Sequence, residues 1–285
     1  MFGFFKKKEE KQEPTPAAVG EEYGEELRSL GAKFRPEEMS ILAVTGANGF
    51  GGRRVREDGP WIATLELTAW KEEDGEEPVC QEKTLLVALA GDKLLAYLRR
   101  RAMPDSIIQV AVRPSEDRTS FLMTELPQPV MDPELKAILD EQKKPDSTYV
   151  EGLGTFVLNR QVGWYQADVD WLGQSIQLVY DRGSGEEVKA AHQTALALMG
   201  AQEDWDSRVR TYAAQQLPVQ HPGLEDEMLE VPAGELARRL EPESLQVWPD
   251  GCFEFWFHDA DYQWEHALRV CGTVAGGPEH VYLEG

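Results

Sequence analysis

The stretch Leu153–Tyr180, LGTFVLNRQVGWYQADVDWLGQSIQLVY, constrains this chain more than any other. Tyr165, Ala167, Val169 and Trp171 fall on one side of it, and Gln166, Asp168 and Asp170 on the other. A period of two with one wet face is the mark of a half-buried antiparallel strand. Leu172-Gly173 then reverses the chain, because glycine accepts positive φ without steric cost. Ile176, Leu178 and Tyr180 alternate on the way back, while Phe156 and Leu158 supply an earlier strand that turns at Gly163. Such a three-stranded meander needs a layer over its apolar face, so the segment sets the plan of everything after it.

Helical spacing follows. Val188, Ala191, Ala195 and Leu198 share one face, and Trp205, Val209, Tyr212 and Leu217 share another. Asp204 and Asp206 stand near the start of the second helix, where negative charge suits the dipole. Pro218 to Glu230 reads as a polar crossing loop and Val231 to Leu240 as a short third helix. Strands return at Leu245–Trp248 and Cys252–His258, joined by Pro249-Asp250-Gly251, and at His266–Cys271 and His280–Leu283 around Gly276-Gly277. The expectation is an α+β domain: a three-strand meander, two or three helices, then about four strands. Helices cover one face of an antiparallel sheet.

The front of the chain reads as a β-rich domain. Strand patterns occur at Ser40–Val44, Trp61–Trp70, Thr84–Ala90, Ile108–Val112 and Phe121–Leu126. One helix lies between the third and fourth, with Leu94, Leu95, Leu98 and Ala102 at helical spacing. The order β-β-β-α-β-β is that of an OB-like barrel. Asp132 caps a further helix with Pro133 at its first position. The division expected is a disordered tail at 1–20, a β-rich domain at 21–142, a linker at 143–147 and an α+β domain at 148–285.

Charge separates these parts. The chain carries −22 overall, and residues 148–285 alone hold 23 acidic against 8 basic groups, a net of −15. A surface that acidic repels phosphate backbones and favours a basic protein partner. No apolar run reaches the roughly 20 residues needed to span a bilayer. The start, MFGFFKKKEEKQE, lacks the order of a signal peptide. Cys80, Cys252 and Cys271 are odd in number and form no C-x-x-C. Together these point to a cytoplasmic protein without a disulfide framework. Phe2, Phe4 and Phe5 beside Lys6, Lys7 and Lys8 allow weak contact with an anionic membrane surface.

Four groups of residues carry possible chemistry. His258, Asp259, Asp261 and His266 combine ligand types that suit zinc, although ordinary turn chemistry explains Asp-x-Asp equally well. Asp168 and Asp170, two apart on a strand, point the same way about 7 Å apart. Trp248, Glu254 and Trp256 share one face opposite Phe253, Phe255 and Phe257, so that pair of strands asks for cover on both sides. Arg53, Arg54 and Arg56 lie in a glycine-rich hairpin that could hold an anion. The preceding loop TGANGFGG lacks the lysine-serine and the helix of a phosphate cradle. Cys252 and Cys271 read as core, and no nucleophile with an orienting base can be named. No cofactor is implied.

The segments LGTF, GWYQADVDWLGQSIQL, ALALMGAQEDW and FEFWF, with the closing LEG, resemble a bacterial family catalogued only as a domain of unknown function, over roughly residues 148–285. The front domain is similar to what often precedes it. At Trp264-Glu265-His266 the chain departs from the family pattern, which tends to a small residue before the histidine. The resemblance implies no activity, cofactor or catalytic residue, and suggests an immunity-like binding protein. The leading expectation is therefore a non-enzymatic protein-binding module with an acidic second domain. Two others compete with it: a metal-dependent hydrolase built on His258, Asp259, Asp261 and His266, and a nucleic-acid-binding first domain using Arg53, Arg54, Arg56 and Trp70. The oligomeric state is left open.

Overall fold

The computed structural model describes residues 23–220, 232–259 and 267–284. The chain divides into two compact units, Met1–Lys144 and Pro145–Gly285. The expected tail, with Phe2, Phe4, Phe5 and Lys6–Lys8, lies outside the described residues. Among the described residues no helix is long and apolar enough to cross a membrane.

In the first unit, β1 (Met39–Thr45), β3 (Trp61–Glu72), β4 (Thr84–Ala90), β6 (Ser120–Met123) and β5 (Ile107–Pro114) close in that order, because β1 also pairs β5. All ladders in the ring are antiparallel except β4–β6. The ring is a five-stranded closed barrel, with α2 (Asp92–Arg101) between its third and fourth strands, as the OB-like order required. Alternation fills the interior: Ala63, Leu65 and Leu67 of β3 are all at most 1% exposed. The glycine-rich hairpin that carries Arg53 and Arg54 is a paired strand. β2 (Gly51–Arg54) pairs β3, and Gly52 comes so close to it that an added Cβ would sit 3.2 Å from the Ile62 carbonyl.

Helix α1 (Gly24–Gly31) lies beside β4, and α3 (Pro133–Gln142) starts where expected. The Asp132 carboxylate accepts from the Leu135 amide at 2.9 Å, capping α3, and Pro133 sits in its first turn. At the far end, the Gln142 side chain accepts from Thr68 Oγ1 at 2.6 Å.

The second unit is one eight-stranded sheet, ordered β15-β14-β13-β12-β11-β10-β9-β8. The expected meander is β9 (Gly154–Asn159), β10 (Trp164–Trp171) and β11 (Gln174–Asp181). It gains a fourth strand, β8 (Ser147–Val150), from residues read in part as linker. Leu172 and Gly173 both adopt positive φ, 52° and 85°, which is the two-residue reversal that matches the twist of the flanking strands. The last four strands are β12 (Leu240–Val247), β13 (Cys252–Asp259), β14 (Ala267–Thr273) and β15 (Gly277–Glu284).

One ladder departs from the antiparallel expectation. β11 and β12 run parallel, Leu178 opposite Leu245 and Tyr180 opposite Val247. The intervening crossover carries the chain back to the end at which β11 began, so β12 starts there and runs parallel. These helices are α4 (Gly185–Met199), α5 (Gln202–Gln220) and α6 (Ala233–Arg239). α4 begins with a full capping box, Ser184 and Glu187 each satisfying the other's backbone N–H. α5 continues three residues past Leu217, so Pro218 stands in its last turn rather than in a loop.

All three helices lie on one side. α4 contacts β11 and β12, α5 contacts β15, and α6 packs on α5 and β12. Beneath them Trp171, Tyr180, Phe253, Phe255 and Phe257 are each at most 1% exposed. A polar network ties the layers together. Trp171 Nε1 donates to Asp206 Oδ1 at 3.1 Å, Arg210 Nε donates to Asp206 Oδ2 at 2.7 Å, and Arg210 also reaches the Leu240 carbonyl.

Tyr180 Oη and His192 Nε2 are both buried without a hydrogen-bond partner, their rings 4.6 Å apart edge to face. Burial pushes the Tyr180 hydroxyl up to about 12 and lowers His192 from its ordinary value. A buried unpaired hydroxyl costs about 1–3 kcal/mol of desolvation. Tyr180→Phe should therefore leave the urea midpoint unchanged or raise it, whereas Tyr165→Phe, which loses a 2.9 Å bond to Asp146, should lower it slightly. A drop of more than about 1 kcal/mol for Tyr180→Phe would show that the hydroxyl has a partner.

Candidate functional site

The side of the eight-stranded sheet away from the helices is the place where unexplained side chains gather. Register fixes which residues share it. Across the strands one row runs Tyr282, Arg269, Trp256, Ser244, Gln177, Asp168, and the next runs His280, Cys271, Glu254, Gln246, Val179, Gln166. The same parity brings Asp170, Asp181, Glu241 and Glu284 to this face. Among the described strand residues, six carboxylates in ladder register share it with a single guanidinium, that of Arg269.

Arg269 is the hub of the row. It bonds Glu254 at 2.9 Å and Glu284 at 2.6 Å, and it lies over the rings of Trp256 at 5.5 Å and Tyr282 at 4.7 Å. Its charge is thus spent on residues of its own sheet, and the arrangement holds two aromatic side chains at fixed positions on an acidic surface. Sequence reasoning missed both Arg269 and Tyr282, although each has the parity opposite to Leu268, Val270, Val281 and Leu283.

A cleft of about 360 Å³ opens at one end of this face. Trp248, Asp250, Cys252, Glu254, Cys271, Thr273, Glu279 and His280 line it, together with Phe253 and Gly272. Its geometry comes from a β-bulge. Cys271 pairs His280, but Gly272 pairs Pro278, so Glu279 is the extra residue of β15. Gly272 permits the close approach, since an added Cβ would meet the Gly277 carbonyl at 2.2 Å. Cys252 and Cys271, expected in the core, are half-buried in this cleft, because they share the parity of Glu254 rather than that of Phe253. Burial, with Asp250 beside it, raises the Cys252 thiol. Burial, with Glu254 at 3.4 Å, pushes Cys271 up to about 12. Both sulfurs stay protonated at neutral pH and are poor nucleophiles.

The remaining predicted residues fall as follows. Asp168 and Asp170 are exposed on β10, opposite Gln177 and Ser175. Trp248 stands just past β12, half-buried, with its carbonyl accepting from Thr194 Oγ1 at 2.8 Å. His258 Nε2 lies 3.3 Å from Glu241, on the same face. Asp261 and His266 lie outside the described residues, as does the side chain of Asp259. Among the described residues no group of three or more His, Cys, Asp and Glu side chains could hold a metal.

In the first unit Arg53, Arg54 and Arg56 are exposed, as the hairpin reading had them. Arg54 bonds Asp92 at 2.8 Å and lies over Trp61 at 4.7 Å, and Arg56 bonds Glu26 at 2.6 Å. Trp70, proposed as a base-stacking residue, is 5% exposed and donates to Thr84 Oγ1 at 3.1 Å. It packs edge-on to Phe121 inside the barrel, so it has no free face for a base.

Each unit coincides closely with one stretch that matches a known family. The chain resembles two families of unknown function. Residues 26–142 match the model described as Domain of unknown function (DUF7021), and residues 150–283 match the Uncharacterized protein conserved in bacteria (DUF2262). No curated protein matches the chain. The DUF7021 match takes in the whole barrel. The DUF2262 match takes in the cleft and the acidic sheet face apart from Glu284.

Proposed function

We propose that this is a binding protein, and that its second unit meets a basic protein surface through the sheet face away from the helices. One observation carries the reading: that face holds six carboxylates and one already paired guanidinium, with aromatic side chains fixed among them. Aromatic anchors ringed by charge are the composition of interface hot spots, and opposite charge on the partner supplies steering and register. An immunity-like role would use the same surface. The metal-dependent hydrolase reading of His258, Asp259, Asp261 and His266 gains less support, because no group of three or more ligand side chains comes together among the described residues, and Asp261 and His266 lie outside them. A nucleic-acid reading of the first unit is weakened by the burial of Trp70 and by the ion pairs of Arg54 and Arg56.

Site-specific photo-crosslinking in bacterial cells tests this. A photoreactive residue at Gln177, in the middle of the face, should give a discrete protein adduct that Asp168→Lys with Asp170→Lys reduces. The same group at Gln193, exposed on α4, should not. Equal adducts at both positions, or none at Gln177, would end the proposal.

A further inference from the structure

The cleft at the end of the face has a construction that the binding reading alone does not require. Consecutive residues of a regular strand point to opposite faces, so without the bulge Glu279 and His280 could not both direct their side chains to the open face. The bulge re-aims Glu279 to the open face beside His280, which is the use that bulges serve next to ligand sites. The lining then presents three carboxylates, Asp250, Glu254 and Glu279, one indole, Trp248, and no lysine or arginine. The carboxylates are not equivalent. Glu254 is engaged by Arg269, Asp250 accepts the Cys252 amide at 3.0 Å, and Glu279 accepts the Thr273 hydroxyl at 3.2 Å with no ion pair to a cation among the described residues. The cleft volume lies at the small end of the range for ligand sites, suited to one side chain.

We infer that this cleft receives a single arginine side chain of the basic partner, its guanidinium between Glu279 and Asp250 with its flat face against Trp248. This rests on the binding reading but makes a narrower claim. A guanidinium fits better than a compact ammonium, because its planar fork can bond two carboxylates while its flat face meets an indole. The raised thiols agree: carboxylates are among the causes for both, as they would be in a cleft of negative potential.

Butylguanidine, a guanidinium on a four-carbon stem, probes the cleft without any partner. Titrated into the full chain at low salt and followed by amide NMR, it should give saturable shifts confined to the Trp248–Gly251 turn and to residues of β13, β14 and β15. Glu279→Gln and Trp248→Leu should each weaken it by roughly two- to fivefold. Asp168→Asn, on the same face but outside the cleft, should change nothing. Glu279 is exposed, so its variant should fold normally. Butylamine, carrying an ammonium on a stem of the same length, should bind more weakly. Absence of saturation, shifts spread over the acidic surface, or equal affinity in Glu279→Gln would overturn the arginine cleft. If Gln177 crosslinking still succeeded, only the cleft would fall, and the binding face would stand.

Discussion

Truncating Phe255 to alanine should destabilise the second unit by about 3–5 kcal/mol, the range for a large aromatic removed from a well-packed core. Phe255 is 1% exposed and sits on β13, the fifth strand from β8 in a sheet of eight. Its ring touches three others: Trp171 at 5.0 Å, Phe253 at 5.7 Å and Phe257 at 5.9 Å. Each such pair adds about 0.5–1.5 kcal/mol beyond area burial. Trp171 is in turn fixed by its bond to Asp206, so the neighbours cannot collapse into the void without breaking a polar contact. Phe255→Leu keeps much of the volume and should cost clearly less. Urea unfolding followed by tryptophan fluorescence would measure both. A cost under about 1 kcal/mol for Phe255→Ala would mean that the helices above can close the gap.

Association of the second unit with its partner should slow steeply as salt rises, and reversing Asp168 and Asp170 to lysine should slow it further at low salt. Steering by an acidic face raises on-rates by about 10- to 1000-fold, and the Debye length shrinks from about 10 Å at 0.1 M to about 3 Å at 1 M. The double reversal changes the face by four charges on β10. It should leave folding nearly intact, because both side chains are exposed. The exception is the Asp170 bond to the Gly173 amide at 3.3 Å, worth about 1 kcal/mol at most. Stopped-flow mixing with the protein captured at Gln177 would read the effect. A salt-independent on-rate would assign the acidity to solubility alone, and an unchanged rate in the double variant would move the contact off β10.

Much of this fold was legible because alternation is a local signal. The meander, the four closing strands and the barrel order all follow from period-two runs broken at glycine, proline and aspartate. β8 was missed because Ser147–Val150 is short and only Val150 of it is buried. The parallel β11–β12 pairing was missed because it depends on where helices return the chain, which no window of sequence contains. The candidate site was half legible. Trp248, Glu254 and Trp256 stood out against Phe253, Phe255 and Phe257, but the cysteines were placed by their apolar character rather than by their parity. Glu279 could not be found from sequence at all, because a bulge one residue long changes which way it points.

The single parallel ladder divides the second unit into two locally connected pieces joined by one non-local seam. β8 to β11 form one chain of hairpins and β12 to β15 another, so each can form from contacts close in sequence. The seam between them joins four residue pairs, Gln177–Tyr180 with Ser244–Val247, and can zip only after the chain from Asp181 to Leu240 has closed into a loop. Closure of that length carries an entropic cost that local hairpins avoid, and non-local pairing of this kind is what slows folding. The seam is therefore the late event in assembling this sheet. Until it forms, β11 and β12 each present a bare edge, the state in which the unit is most exposed to pairing with another copy of itself.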